Sequence, residues 1–354
     1  MSGSSIIRSG WWVVPAAGVL TLIVAAVMVI PLFDRTSSDT PRGDFDLSDT
    51  TVPRDLIVRA MPRDGVMVLN EPAMVDAAEV DRFNNEERGK MLVADDRVIG
   101  VEIAGEARAY PLRLMRWHEV VNDVVGGEPV AVTYSPLCDS VAVFSRVLDG
   151  DEIEFGVSGL LYNSNTLLYD RRSAPAASPL WIQLTGKPIV WPATGPGGRL
   201  ALLPARLTTW AAWRERNPST LVLAPLAEMK KPYKRDPYNS YFGSDLLKFP
   251  VEPLPPTGSL SLKDRVVTTT IDGVDTVFAL PGLAAAAGAP TGSIDVTAEG
   301  LPLRIRFDDV LGVADVEPLD DPARLEGVRS AFWFAWYSLE GTVPVIIPDA
   351  ARDR

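Results

Sequence analysis

The chain has 354 residues, enough for about two domains of ordinary size, and 47% of them are apolar, which excludes wholesale disorder. A net charge of −12 argues against nucleic-acid binding, because without a broad basic surface nothing displaces the counterions of the phosphates. One cysteine, Cys138, and one histidine, His118, exclude an internal disulfide and any zinc site built from four Cys/His ligands.

After a short N-terminal segment, 1–10, the run WWVVPAAGVLTLIVAAVMVIPLF from Trp11 to Phe33 carries no charge. As a helix it spans roughly 34 Å, sufficient for a hydrocarbon core of about 30 Å. Trp11 and Trp12 suit the headgroup region, and Pro15 and Pro31 lie near the ends, where they break few helix hydrogen bonds. A cleaved signal peptide and a buried core helix are the alternatives. The run is longer than a signal h-region, and neither an A-x-A site nor a lipobox cysteine follows it. A retained single-pass transmembrane helix is expected, with the membrane as partner. Arg8 before it and Arg35 and Arg42 after it leave the positive-inside count undecided. A long region after a first hydrophobic segment is usually exported, so an extracytoplasmic location at the cell envelope is expected.

Residues 34–55 are polar and acidic and read as a linker. Asp44, Asp46 and Asp49 within it lack EF-hand spacing, so they point to calcium only weakly. Beyond the linker, short β-branched stretches alternate with Gly, Pro and Asp. Strands are expected at 98–103, 130–134, 141–147 and 153–157, with Asp149-Gly150 as a hairpin turn. Helices are expected at 112–121 and 208–215, the second stopped by Asn217-Pro218. The proline-rich stretch 252–256 suggests a first half-domain, 56–250, a shorter second one, 251–348, and a tail, 349–354.

DRVIGVEIAGEARAYPL, from Asp96 to Leu112, aligns without gaps on DRVVTTTIDGVDTVFAL, from Asp264 to Leu280. A second pair, Trp210-x-x-Trp213 and Trp333-x-x-Trp336, follows in the same order. The first pair is offset by 168 residues and the second by 123, so a second copy has about 45 fewer residues between its landmarks. The expectation is an α+β, mainly β fold of two related halves, an internal duplication of short strands and a few helices, preceded by the transmembrane helix. His118 and Cys138 have no counterparts in the second half, which would make that half a scaffold.

The segment Tyr110–Arg146 is densest in chemically useful residues. At helical spacing Leu114, Met115, His118 and Val121 share one face, which puts the histidine on the inward side. Gly126-Gly127 turns the chain, and Ser135-Pro136-Leu137-Cys138-Asp139 closes the next strand, so His118 can fold back onto the cysteine loop. If they meet, three chemistries are open: a nucleophilic thiolate, two ligands of a soft metal such as copper with Met115 as a third, or thiol redox exchange. Glu119, Asn122, Ser135 and Asp139 would give polar support. An ordinary core histidine and an inert buried thiol are the commoner outcome of such spacing. Lys230, Lys231, Lys234 and Arg235, interleaved with Tyr233 and Tyr238, form a basic loop that suits an anion or a headgroup, although a solvated surface loop is the ordinary reading. The tryptophans at 181, 191, 210, 213, 333 and 336 suit a core more than a sugar platform.

Several ordered blocks resemble the bacterial and archaeal family known as domain of unknown function 3179. They include AYPLRLMRWHEVVND (109–123), VAVTYSPLCDSVAVFSR (130–146), FGVSGLLYNSNTLLYDR (155–171), LWIQLTGKPI (180–189), LLPARLTTWAAWRERNPSTLVL (202–223), KRDPYNSYF (234–242) and FWFAWY (332–337). Together they cover most of 66–347. The resemblance implies no established activity. Typical members read T-Y-C-P-L-C where this chain has Tyr134-Ser135-Pro136-Leu137-Cys138, so His118 and Cys138 match the motif and Ser135 departs from it. Loss of the first cysteine removes a dithiol mechanism and weakens a two-sulfur metal site. The reading is therefore a metal- or ligand-binding envelope protein centred on His118 and Cys138. The alternatives are a non-catalytic binding or structural module and a thiol enzyme using Cys138, with binding favoured over catalysis.

Overall fold

A computed structural model describes residues 45–86, 90–174, 177–190, 198–258 and 260–341, with the backbone of 345–346. These form two eight-stranded sheets, a five-stranded sheet and a two-stranded hairpin, joined by six short α-helices. The fold-class expectation needs a correction. Among the described residues no helix is long and apolar enough to cross a membrane, and the run 11–33 lies outside them.

The aligned segments adopt the same backbone. A first hairpin, Arg97–Ile103 with Glu106–Pro111, turns at Ala104-Gly105, and a second, Arg265–Ile271 with Val274–Ala279, turns at Asp272-Gly273. All four turn residues have positive φ, the geometry that lets a two-residue loop follow the strand twist. Each hairpin runs directly into a helix, Leu112–His118 or Leu280–Ala287, and then into a three-stranded meander. The meanders are Val120–Val125, Glu128–Ser135 and Ser140–Ser145 in the first half, and Thr291–Ala298, Leu301–Asp308 and Val313–Pro318 in the second. A closing strand then pairs back on each hairpin, Thr209 opposite Arg97 and Phe332 opposite Arg265. A helix follows each, Trp210–Arg216 or Trp333–Glu340. Even single bonds correspond: Trp210 N–H donates to Asp96 O and Trp333 N–H to Asp264 O, both at 2.8 Å.

The halves do not sit side by side. Ser330 of the second closing strand pairs with Val141 of the first meander, and Leu207 of the first closing strand pairs with Ala314 of the second meander. Each eight-stranded sheet therefore joins one half's hairpin to the other half's meander. Across the expected boundary at 250/251, strands of the two halves pair at two places within one compact unit.

Alternation along the strands builds three layers. Val130, Val132 and Tyr134 face the first hairpin's sheet with Ile99, Val101 and Tyr110. Ala131 faces the other way, with Ala142 and Phe144, onto Phe155, Leu168 and Trp181 of the five-stranded sheet. Each such aliphatic side chain taken from water stabilises the fold by roughly 1.5–3 kcal/mol. The five-stranded sheet comprises Ile57–Arg59, Phe155–Tyr162, Asn165–Asp170, Leu180–Ile182 and Pro188–Val190. The stretch read as an acidic linker is, from Phe45 onward, part of this layer. Phe45 and Leu47 are buried against Tyr162, Tyr169 and Ile182, because the apolar residues among its aspartates find a sheet face.

Trp181, Trp213 and Trp336 are fully buried, and Trp210 and Trp333 nearly so, while Trp191 lies outside the described residues. Gly100 lets Trp213 lie on its strand: a Cβ there would stand 2.3 Å from the indole ring.

Candidate functional site

The helix Leu112–His118 stops three residues earlier than its apolar spacing predicts. Glu119 takes φ 57° and ψ −34°, donating its N–H to Met115 O, and the β-branched run from Val120 continues as a strand. Such a conformation costs a non-glycine residue about 1–3 kcal/mol and persists only where the surroundings impose it. The helix thus ends on a sharp bend that separates the side chains of His118 and Glu119. Glu119 O accepts from Tyr134 N–H at 2.8 Å, which fixes it beside the loop that begins at Ser135. Glu119, not His118, meets the cysteine loop.

That loop is a single tight turn, Pro136–Cys138, closed by Asp139 in the left-handed region at φ 44°. Thr166 lies across from it. Its hydroxyl donates to Glu119 Oε2 at 2.9 Å and stands 3.1 Å from Ser135 Oγ, which also accepts from Thr166 N–H at 3.1 Å. Burial pushes the Glu119 carboxyl up to about 7, and the bond from Thr166 offsets this only in part. The carboxyl borders a small pocket of about 100 Å³, walled also by Ser135, Leu137, Val157, Leu160 and Tyr238, with Lys248 at its edge. Burial beside this charge raises the Tyr238 phenol as well.

Cys138 lies behind the pocket wall, fully buried among Leu184, Val266 and Phe332. Burial pushes its thiol up to about 12 although Asn165 and Ser135 hydrogen-bond to it. Asp139, the next residue, accepts two bonds from Arg97 at 2.7 and 2.9 Å, one from Arg265 at 2.7 Å and one from the Tyr134 hydroxyl at 2.7 Å. Against the effect of burial, the two guanidiniums hold this carboxyl well below the usual carboxylate range.

His118 is elsewhere occupied. Its Nδ1 is 2.6 Å from Met67 O, which can only accept, so Nδ1 carries the proton and Nε2 accepts from the Tyr233 hydroxyl at 2.5 Å. Burial holds the imidazole below its ordinary value, and neither nitrogen faces the thiol. Met115 is buried in the core between the large sheets, away from Cys138's cluster. Asn122 bridges strands, bonding to Asn70 and to both backbone groups of Phe155. No group of three or more His, Cys, Asp or Glu side chains that could hold a metal ion occurs among the described residues. In the basic loop, Tyr233 is buried and serves His118, while Lys231, Lys234 and Arg235 are exposed.

Sequence reasoning named Glu119, Ser135 and Asp139 only as support, placed Tyr238 only in the basic loop, and missed Thr166, Arg97 and Arg265. A signal for Thr166 existed in the polar run Asn163-Ser164-Asn165-Thr166 between two apolar strands. Asn163 and Ser164 both have positive φ, and the turn they form presents Asn165 and Thr166 to the loop. Arg97 and Arg265 were visible as the second residues of the two aligned segments.

The model of the family described as "Protein of unknown function (DUF3179)" matches residues 63–310, a span that contains the pocket's polar groups Glu119, Ser135, Thr166 and Tyr238. No curated protein and no solved structure matches the chain.

Proposed function

From the premise that the chain belongs to the family of proteins of unknown function DUF3179, we propose that it binds a small uncharged molecule in the pocket beside Glu119. Glu119 in its acid form donates a hydrogen bond to an oxygen or nitrogen of that ligand. The single observation that carries this reading is a buried carboxyl raised to about 7, on strained backbone, at the wall of a pocket. Thr166 occupies Oε2, which leaves Oε1 and its proton for the ligand. Val157, Leu160 and Leu137 supply the apolar contact that a largely uncharged molecule needs. Thiol chemistry at Cys138 is disfavoured by its burial and by a pKa of about 12, since the thiolate is the reactive species. A copper site at His118 and Cys138 is disfavoured because both ring nitrogens already have partners.

Ligand-observed magnetic resonance with a library of small neutral amides and ketones tests this. At pH 8, one unit above a pKa of about 7, only about a tenth of Glu119 keeps its proton, so affinity should be about tenfold weaker than the low-pH limit. Glu119→Gln, a permanent donor of similar shape, should bind equally at both pH values. Ligands whose affinity for the unsubstituted chain ignores pH, or the absence of any ligand displaced by filling the pocket, would contradict the proposal.

A further inference from the structure

On the other side of the Asp139 turn lies a second and larger cleft, of about 410 Å³, which shares no lining residue with the Glu119 pocket. Six cationic side chains border it, among them Arg97, Arg116, Arg235 and Arg265, against the three carboxylates of Asp95, Asp96 and Asp236. In a chain of net charge −12, this is a local reversal of sign.

The neutralisation is incomplete in a specific way. Arg97 and Arg265 share one carboxylate, Asp139, and Arg265 reaches it through Nε, while its terminal nitrogens make no hydrogen bond among the described residues. Arg116 gives Nη1 to Asp236, and its Nε, like that of Arg113, has no acceptor among the described residues. Both Nε atoms are buried, so the terminal nitrogens are what these guanidiniums offer the cleft. The Arg116 guanidinium is also held over the Phe242 ring, 5.3 Å from its centroid, which fixes its plane.

We infer that this cleft binds a small anion carrying two or more negative charges, a phosphoryl or polycarboxylate group gripped by the forks of Arg116 and Arg265. Planar guanidiniums match both kinds of oxyanion, and two partly paired forks around one cavity favour a multivalent ligand over a monovalent one. Arg235, exposed at the rim, adds attraction without bonding to the core.

The test is titration calorimetry of the full chain with inorganic pyrophosphate, with citrate, and with acetate as the monovalent control. One-site binding of pyrophosphate or citrate that weakens with added salt, with acetate silent, is expected; the tighter of the two assigns the anion class. Arg235→Glu should weaken it at least about tenfold, and Arg116→Gln likewise, with circular dichroism unchanged. Because Arg235 is exposed, its reversal tests the site even if the Arg116 variant misfolds. No saturable binding of either probe, or binding that Arg235→Glu leaves intact, overturns the assignment.

Discussion

Arg97 and Arg265 occupy the same position of two equivalent hairpins, and both donate to a single carboxylate, that of Asp139. The aspartate comes from the first meander alone. A repeated backbone thus converges on an unrepeated residue, and the loop carrying Cys138 is clamped from both halves.

Removing that clamp should be costly. Asp139→Asn leaves the nearly buried Arg97 and the partly buried Arg265 without their counter-charge, a loss of roughly 3–5 kcal/mol in denaturant unfolding at neutral pH. The Asp139 pKa is depressed on folding. Its contribution is therefore present above the 3.8 of an ordinary aspartate and fades as pH falls below it, so the two proteins should converge in acid. Equal stability at pH 7 would show that the clamp does not hold the fold.

Glu119 has the opposite sign. With a folded pKa of about 7 against an ordinary 4.5, the folded state holds its proton longer than the unfolded chain does. Relative to Glu119→Gln, the unsubstituted protein should be unchanged below 4.5 and lose about 3 kcal/mol as pH rises to about 7. Urea midpoints measured for both proteins between pH 4.5 and 8 check this; parallel curves would refute it.

The Cys138 thiol should resist modification. Iodoacetamide at pH 8 is expected to leave the native chain unlabelled and to label it fully in denaturant, as mass spectrometry reads directly. Ser135 hydrogen-bonds to this thiol, so Ser135→Cys brings two sulfurs into reach. That variant is expected to lose two hydrogens of mass under mild oxidant, and retention of both thiols would show that the turn geometry forbids the bond.

His118 is a structural residue in this account. His118→Ala leaves the Met67 carbonyl and the Tyr233 hydroxyl without their buried partner and should cost about 1–3 kcal/mol. It should not alter the pH dependence of ligand binding at Glu119. A changed pH profile would return the histidine to the site.

Much of the fold was legible because its signals are local. The strand expected at 98–103, the Asp149-Gly150 turn and the helix expected at 208–215 came from a β-branched run, turn residues and the stop signal Asn217-Pro218, and the structure has them at 97–103, 149–150 and 210–216. The correspondence of the two aligned segments was visible from a few identities. The exchange of meanders between sheets was not, because it is set by strand pairing between residues far apart in the chain. The site was displaced by one residue for a local reason. Apolar spacing carried the helix to residue 121, but Glu119 adopts a positive φ that no helical pattern announces. That single bend gives the loop a carboxyl instead of an imidazole. Thr166 and Tyr238 reach the pocket only through tertiary packing.

The most direct test of the central claim is an infrared titration of the protonated-carboxyl band in the unsubstituted chain, with Glu119→Gln as the difference reference. A single carboxyl that ionises with a midpoint near 7, absent from the variant, is the expected result. A difference band already lost near 4.5, or no difference at all, would mean that Glu119 is an ordinary carboxylate and that the pocket has no acid to offer a ligand.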